Sequence, residues 1–121
     1  MESAAAIHDY AAMPPRISRE TSKEAIARRL TLLRMAVSGE SQVGFSNLTG
    51  IKTNAWNNLE KARNRISLDS ALELARTTGA SLDWIYRGRE YVHTLPGDLA
   101  TRIRAAEDRL GDDEEAEAQR A

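Results

Sequence analysis

With 121 residues, of which 41% are hydrophobic and 29% charged, the chain has room for one small domain and flexible ends. The absence of cysteine excludes disulfides, thiolate-held metals and a cysteine nucleophile. No apolar run approaches the roughly 18 residues of a membrane span, and the N-terminus lacks a basic-then-apolar signal pattern, so a cytoplasmic location is expected. The net charge of −1 conceals a division. Residues 16–91 hold 13 Lys/Arg against 8 Asp/Glu, a net of +5, between residues 1–15 at −2 and residues 92–121 at −4. A basic middle favours an anionic partner, but a charge of this size is by itself a weak signal.

In chain order, residues 1–20 show no sustained periodicity, and Pro14-Pro15 interrupts any helix, which predicts a flexible arm. Thr21 to Glu24 fits a capping box, with Thr21 as N-cap and Glu24 reaching back to it. Ile26, Leu30, Leu33 and Val37 then form one stripe of a first helix that ends at Gly39. A short second helix, Ser41–Leu48, is expected to bury Val43, Phe45 and Leu48. Thr49-Gly50 supplies a tight turn in which Gly50 suits a positive φ. The third helix, Thr53–Lys61, turns Trp56 and Leu59 inward. Ser67 caps a fourth, with Leu68, Ala71, Leu72 and Ala75 as its apolar stripe and Gly79 as its end. Ser81 caps a fifth that contains Leu82, Trp84 and Ile85 and stops near Gly88. After a linker over residues 89–95, Pro96 opens a sixth helix with Leu99, Ile103, Ala106 and Leu110 on one face and Gly111 as its stop. The acidic run from Asp112 to Glu117 reads as a solvated tail. No strand-type alternation occurs, so the expected class is all-α. The chain divides into an arm (1–20), a domain (21–90) and an extension (91–121) whose helix covers about residues 96–110.

The relation between the second and third helices carries the functional signal. Packing two helices steeply around a short turn requires a small residue where they approach. It also requires tolerance of positive φ four positions later and a large apolar residue six positions beyond that. Ser46, Gly50 and Trp56 occupy these positions, which predicts a helix-turn-helix at about residues 41–61. On the outer face of the third helix Asn54, Asn57, Asn58 and Lys61 fall at i, i+3, i+4 and i+7, with Thr53 beside them. Asparagine is a poor helix former, so this cluster lowers propensity without adding packing. Its amide can bond N6 and N7 of adenine in the major groove, which makes Thr53, Asn54, Asn57 and Asn58 the candidate base-reading residues. Gln42 at the start of the second helix, Lys52, Lys61 and the loop Arg63-Asn64-Arg65 are candidate contacts to a DNA backbone. Arg16 and Arg19 of the arm could extend such contacts along a groove.

The stretch Ile26–Gly88, about half the chain, resembles the lambda-repressor-like, Cro-type (XRE) helix-turn-helix family. The matching pieces are ARRLTLLRMA, SQVGFSNLTGIKTNAWNNLEKA and ISLDSALELARTTGASLDWIYRG, in the family's order and spacing. The phrase WNNLEKARNRISLD is also similar to variants common in alphaproteobacterial genomes. The resemblance implies a five-helix DNA-binding domain with the sixth helix as an addition. It further implies a homodimer on a palindromic double-stranded operator, and a nucleoid-associated transcriptional regulator, more often a repressor. By position, Gln42 matches the family's phosphate-binding glutamine. Lys52, Thr53, Asn54, Asn57 and Asn58 match positions that face base edges and the adjacent backbone, and Glu60 matches an acidic residue of structural role. Three residues depart from the pattern. Ser46 replaces the commoner alanine, and Gly44 inside the second helix costs up to ~1 kcal/mol relative to alanine. Ala62 stands where glycine usually ends the third helix, from which a slightly longer helix and a shifted Arg63–Arg65 loop are expected.

An enzyme is not expected. His8 and His93 lie outside the predicted core with no metal-ligand spacing, and no Gly-rich phosphate loop or nucleophile motif occurs, so neither metal nor cofactor is called for. The alternative function is that of an antitoxin or anti-activator that binds a partner protein through the arm and the 96–121 extension. Leu82, Ile85, Tyr86, Tyr91 and Val92 are candidates either for a dimer surface or for completing the monomer core. The acidic tail could compete with DNA for the basic face.

Overall fold

The computed structural model describes residues 19–120. Among them the chain forms only helices: a 3-10 turn at Arg19–Thr21, α1 (Lys23–Ser38), α2 (Gln42–Thr49), α3 (Thr53–Glu60), α4 (Leu68–Thr78), α5 (Leu82–Arg87), a 3-10 segment at Arg89–Thr94 and α6 (Gly97–Arg120). The class is all-α. His8, Arg16 and the rest of residues 1–18 of the expected arm lie outside the described residues, and Arg19 is exposed in the first 3-10 turn.

Serine starts four of these helices. The hydroxyls of Ser22, Ser41, Ser67 and Ser81 accept from the amides of Ala25, Gly44, Ser70 and Trp84 at 2.8–3.2 Å, which satisfies a donor that each helix start leaves open. The first helix is thus capped by Ser22, one residue after the expected Thr21 box. Thr21 instead belongs to the preceding 3-10 turn, where the Ser22 hydroxyl donates to the Arg19 carbonyl at 2.8 Å.

Eight of the 16 residues of α1 are buried, which makes it the central helix. The Ile26–Leu30–Leu33 stripe is buried as expected, with Val37 at its margin, and Leu32 and Met35 are buried as well. Burial on more than one side follows from the neighbours: α6 lies along α1, while α2, α3 and α5 also pack on it. Leu30, Leu33, Phe45, Trp56, Leu74, Ile85 and Ile103 are fully enclosed and draw on every helix in this assembly.

Several expectations are corrected. Val43 and Leu48 are not buried but 62% and 47% exposed. The buried line of α2 runs through Phe45 and Thr49, four residues apart, and Leu48 lies to one side of it. On α4 the buried line is Ala71–Leu74. That rotation of the helix puts Leu68 and Leu72 in solvent. Ile85 is enclosed, and Leu82, Tyr86, Tyr91 and Val92 pack partly buried against the same core, so this group completes the monomer rather than offering Ile85 to a second copy. The linker at 89–94 is a 3-10 segment. Helix α6 does not stop at Gly111 but continues to Arg120, so the acidic run is helical. Glu, Ala, Gln and Arg, which dominate after Asp113, are good helix formers, and Glu114 pairs with Arg28 of α1 at 2.5 Å.

Candidate nucleic-acid interface

The turn between α2 and α3 is built from short-range hydrogen bonds. Gly50 is left-handed at φ 78°, and its amide donates to the Ser46 carbonyl at 2.8 Å. The Ser46 hydroxyl donates to the Ile51 carbonyl at 2.6 Å, so serine does here what alanine could not while staying small enough for the close approach. Buried Thr49 donates its hydroxyl to the Phe45 carbonyl at 2.9 Å and accepts the Ile51 amide at 3.2 Å. Across the turn the Phe45 and Trp56 rings meet with centroids 4.6 Å apart at 47°. Ser46, Gly50 and Trp56 are thereby brought together at one corner, and Thr49, expected only as part of the turn, completes it as a buried hydrogen-bonding residue.

A buried polar cluster ties α3 to α1. The Glu60 carboxylate accepts from Arg34 Nε at 2.6 Å, Arg34 Nη2 at 3.1 Å and Trp56 Nε1, and the Thr31 hydroxyl is shared between it at 3.2 Å and the Ala27 carbonyl at 3.0 Å. Arg34 Nη1 donates onward to the Gly39 carbonyl at 2.8 Å. The Arg34 and Glu60 side chains are only 10% and 9% exposed. Glu60 thus has a purely internal partner set. Arg34 was missed because its charge, in a sequence read by apolar periodicity, assigns it to the surface.

The end of α3 differs from expectation in an instructive way. Helix α3 does not run long: it stops at Glu60, and Ala62 itself takes the left-handed conformation, φ 58°. The Arg63 amide donates to the Asn58 carbonyl at 3.0 Å and the Ala62 amide to the Leu59 carbonyl at 3.1 Å. This is the Schellman pair of bonds that normally recruits glycine. Alanine is therefore placed in the glycine conformation.

On the outer side of α3, Asn54 is exposed and Thr53, Asn57 and Asn58 are half-buried. The amides of Asn54 and Asn57 make no side-chain hydrogen bond among the described residues, whereas Asn58 Oδ1 accepts from Arg63 Nη1 at 2.9 Å. Lys52, Lys61, Arg63, Asn64 and Arg65 are exposed, and Gln42 is half-buried at the first position of α2. Arg65 does not hang free: its Nη1 donates to the Thr21 carbonyl at 2.9 Å. Lys52, at the N-cap of α3, makes no side-chain cap bond, in contrast with the serines, so the first amides of α3 stay open.

The charge on this face follows from where Glu60 points. Between Ser41 and Ile66 the sequence has one carboxylate, Glu60, and it is turned inward onto Arg34. Lys52 before α3 and Lys61, Arg63 and Arg65 after it are exposed, and α2 and α3 themselves carry no exposed acid. Exposed acids flank this unit on both sides: Glu40, paired with Arg109 at 2.8 Å, precedes α2, and on α4 Asp69 and Glu73 border a groove with Lys52 and Ala55. The hydrogen bond from Arg76, at 2.6 Å, holds the Glu73 carboxyl below the usual carboxylate range.

A cavity of about 310 Å³ lies elsewhere, between α1, α5, the 3-10 segments and α6, and no residue of α2 or α3 lines it. Its wall includes Arg29, whose Nε donates to the Ile85 carbonyl at 3.0 Å and whose Nη2 donates to the Glu20 carbonyl. Burial pushes the Arg29 guanidinium below its ordinary pKa, with Glu20 opposing the shift. Among the described residues no group of three or more His, Cys, Asp or Glu is arranged to hold a metal, and no helix is long and apolar enough to cross a membrane. No protein-family model, curated protein or solved structure matches the chain.

Proposed function

We propose that the chain is a sequence-specific double-stranded DNA-binding protein of the lambda-repressor-like helix-turn-helix kind, a cytoplasmic transcriptional regulator rather than an enzyme. It sets α3 in the major groove as a homodimer on a palindromic site. The observation that carries the reading is the inward turn of Glu60. It leaves a polar face (Thr53, Asn54, Asn57, Asn58) on α3, preceded in the chain by exposed Lys52 and followed by exposed Lys61, Arg63 and Arg65, with no exposed carboxylate on α2 or α3. The amides suit base edges, and the cations before and after them suit phosphates. The open amides at the start of α3 and the Gln42 end of α2 add phosphate donors of the same sign. Binding to a randomised duplex library, read by enrichment and then by fluorescence anisotropy, tests it. The chain is expected to enrich a defined site and to bind it more weakly as salt rises. Each phosphate contact removed, as by Lys61→Ala, should lower the log–log salt slope by about 0.9. No enrichment, together with no salt-dependent binding of any duplex, would sink the proposal.

The alternative, a protein-binding antagonist, has one observation in its favour. The last turns of α6, from Asp112 to Arg120, are exposed throughout. Absence of DNA binding by the full chain, with loss of a partner when residues 112–121 are removed, would select it.

A further inference from the structure

As a sequence, Arg63 reads as a phosphate contact, whose loss weakens every DNA alike. Its geometry says more. The Schellman bond from the Arg63 amide to the Asn58 carbonyl (3.0 Å) fixes the backbone of Arg63 over the last turn of α3. From that position Arg63 Nη1 reaches Asn58 Oδ1 at 2.9 Å. A guanidinium has donors only, so the amide atom that faces it must be the oxygen. The NH2 group of Asn58 is therefore the free end. Asn54 and Asn57, with no such partner among the described residues, keep both amide orientations.

We infer that Arg63 is a specificity-determining positioning residue, which locks the Asn58 amide so that it donates to the base it meets. The inference rests on the DNA-reading proposal above. A donor suits bases with an acceptor at the groove edge: N7 of either purine, O6 of guanine or O4 of thymine. It disfavours cytosine, whose major-groove edge offers only the N4 donor. With Arg63 gone, the amide can turn over, and its oxygen then accepts from cytosine. The remaining N–H groups of Arg63 stay available to a phosphate, so a single side chain serves both grip and choice.

The test uses the purified full chain on the randomised duplex library, comparing wild type with Asn58→Ala, Arg63→Ala and Arg63→Lys. Asn58→Ala identifies the base pair that Asn58 reads, as the position whose preference it flattens. At that position the wild type should reject cytosine by about tenfold, the scale of one good base contact. Arg63→Ala should reduce that rejection to about twofold while leaving the other positions unchanged. Arg63→Lys should relax the same position in part with the salt slope kept, because the ammonium keeps the charge but meets the amide oxygen from a shorter, more mobile side chain than the rigid guanidinium. All variants retain the Arg63 backbone amide and hence the helix cap, and unchanged far-UV dichroism and melting confirm that they fold.

Two results overturn the inference while sparing DNA reading. One is an enriched wild-type site whose preferences Arg63→Ala leaves unchanged, with affinity lowered uniformly. The other is an Asn58→Ala variant that flattens no position. Absence of any enriched site by the wild type instead overturns the DNA-reading proposal, and the inference falls with it.

Discussion

Glu60→Ala removes a carboxylate that accepts from Arg34 Nε and Nη2 and from Trp56 Nε1, with the Thr31 hydroxyl shared between it and the Ala27 carbonyl. The Arg34 side chain, 10% exposed, would keep only its bond to the Gly39 carbonyl, and a guanidinium would be left in the protein without a counter-charge. Breaking a buried ion pair from one side costs roughly 3–5 kcal/mol, most of it the desolvation of the abandoned charge. A small domain has about 5–15 kcal/mol in all, so the variant should lose a large share of its stability and more than about 10 °C in Tm. Urea titration followed by far-UV dichroism and tryptophan fluorescence measures the loss. Replacing both partners by apolar residues (Arg34→Met with Glu60→Leu) should recover much of it, because no unpaired charge then remains. A loss below about 1 kcal/mol for Glu60→Ala, the range of exposed ion pairs, would refute the cluster as the tie between α1 and α3.

Three further substitutions probe the backbone and the packing. Ala62→Gly relieves the left-handed strain at φ 58° and should stabilise the fold by about 0.5–1 kcal/mol, the strain outweighing the entropy of glycine; a loss in the same urea assay would remove the Schellman end. Gly111→Ala should also stabilise, by about 0.5–1 kcal/mol, because Gly111 lies inside α6 and an added Cβ meets nothing within 4 Å. A loss there would mean that the helix ends at Gly111 after all. Tyr86 donates its hydroxyl to the Ile66 carbonyl at 3.0 Å, and burial pushes its phenol above the ordinary 10.0. The folded state holds this proton more tightly than the unfolded chain, so the contribution is intact below pH 10 and is lost as pH rises through the folded value. Tyr86→Phe should abolish that alkaline step in plots of urea midpoint against pH, and a step of unchanged size would assign it to another group.

Periodicity made the helices legible because each has an apolar line, and Ser41, Ser67 and Ser81 mark three starts correctly. It misjudged which side residues were buried where the neighbouring helix decides the roll. Leu68 and Leu72 make as good a stripe as Ala71 and Leu74 until α2 and α5 are packed against α4. The same limit hid Arg29 and Arg34, since only tertiary partners (the Ile85 carbonyl, Glu60) make a buried guanidinium affordable. Gly111 was misread for a different reason. A glycine ends a helix only when it turns left-handed, and Gly111 keeps a helical backbone. At the candidate interface the spacing foretold the left-handed Gly50 turn and the burial of Trp56. The hydrogen bond that gives Asn58 a direction was not legible, because it depends on Ala62 adopting a conformation that sequence statistics reserve for glycine.

The division of labour within α3 bears on function and can be tested against stability. Eight residues with three asparagines are too few and too poor in propensity to hold a helix in water. Trp56, Leu59 and Glu60 hold it from the inside, while the side chains of Asn54 and Asn57 make no hydrogen bond among the described residues. On that account Asn57→Ala should leave the fold unharmed and stabilise it by about 0.5 kcal/mol through propensity alone. If the face reads bases as proposed, the same change should weaken binding to the enriched site by about 1–3 kcal/mol. Opposite signs in the two assays would distinguish a residue kept for recognition from one kept for folding. A destabilised Asn57→Ala protein would instead give that asparagine a structural role and narrow the reading face to Thr53, Asn54 and Asn58.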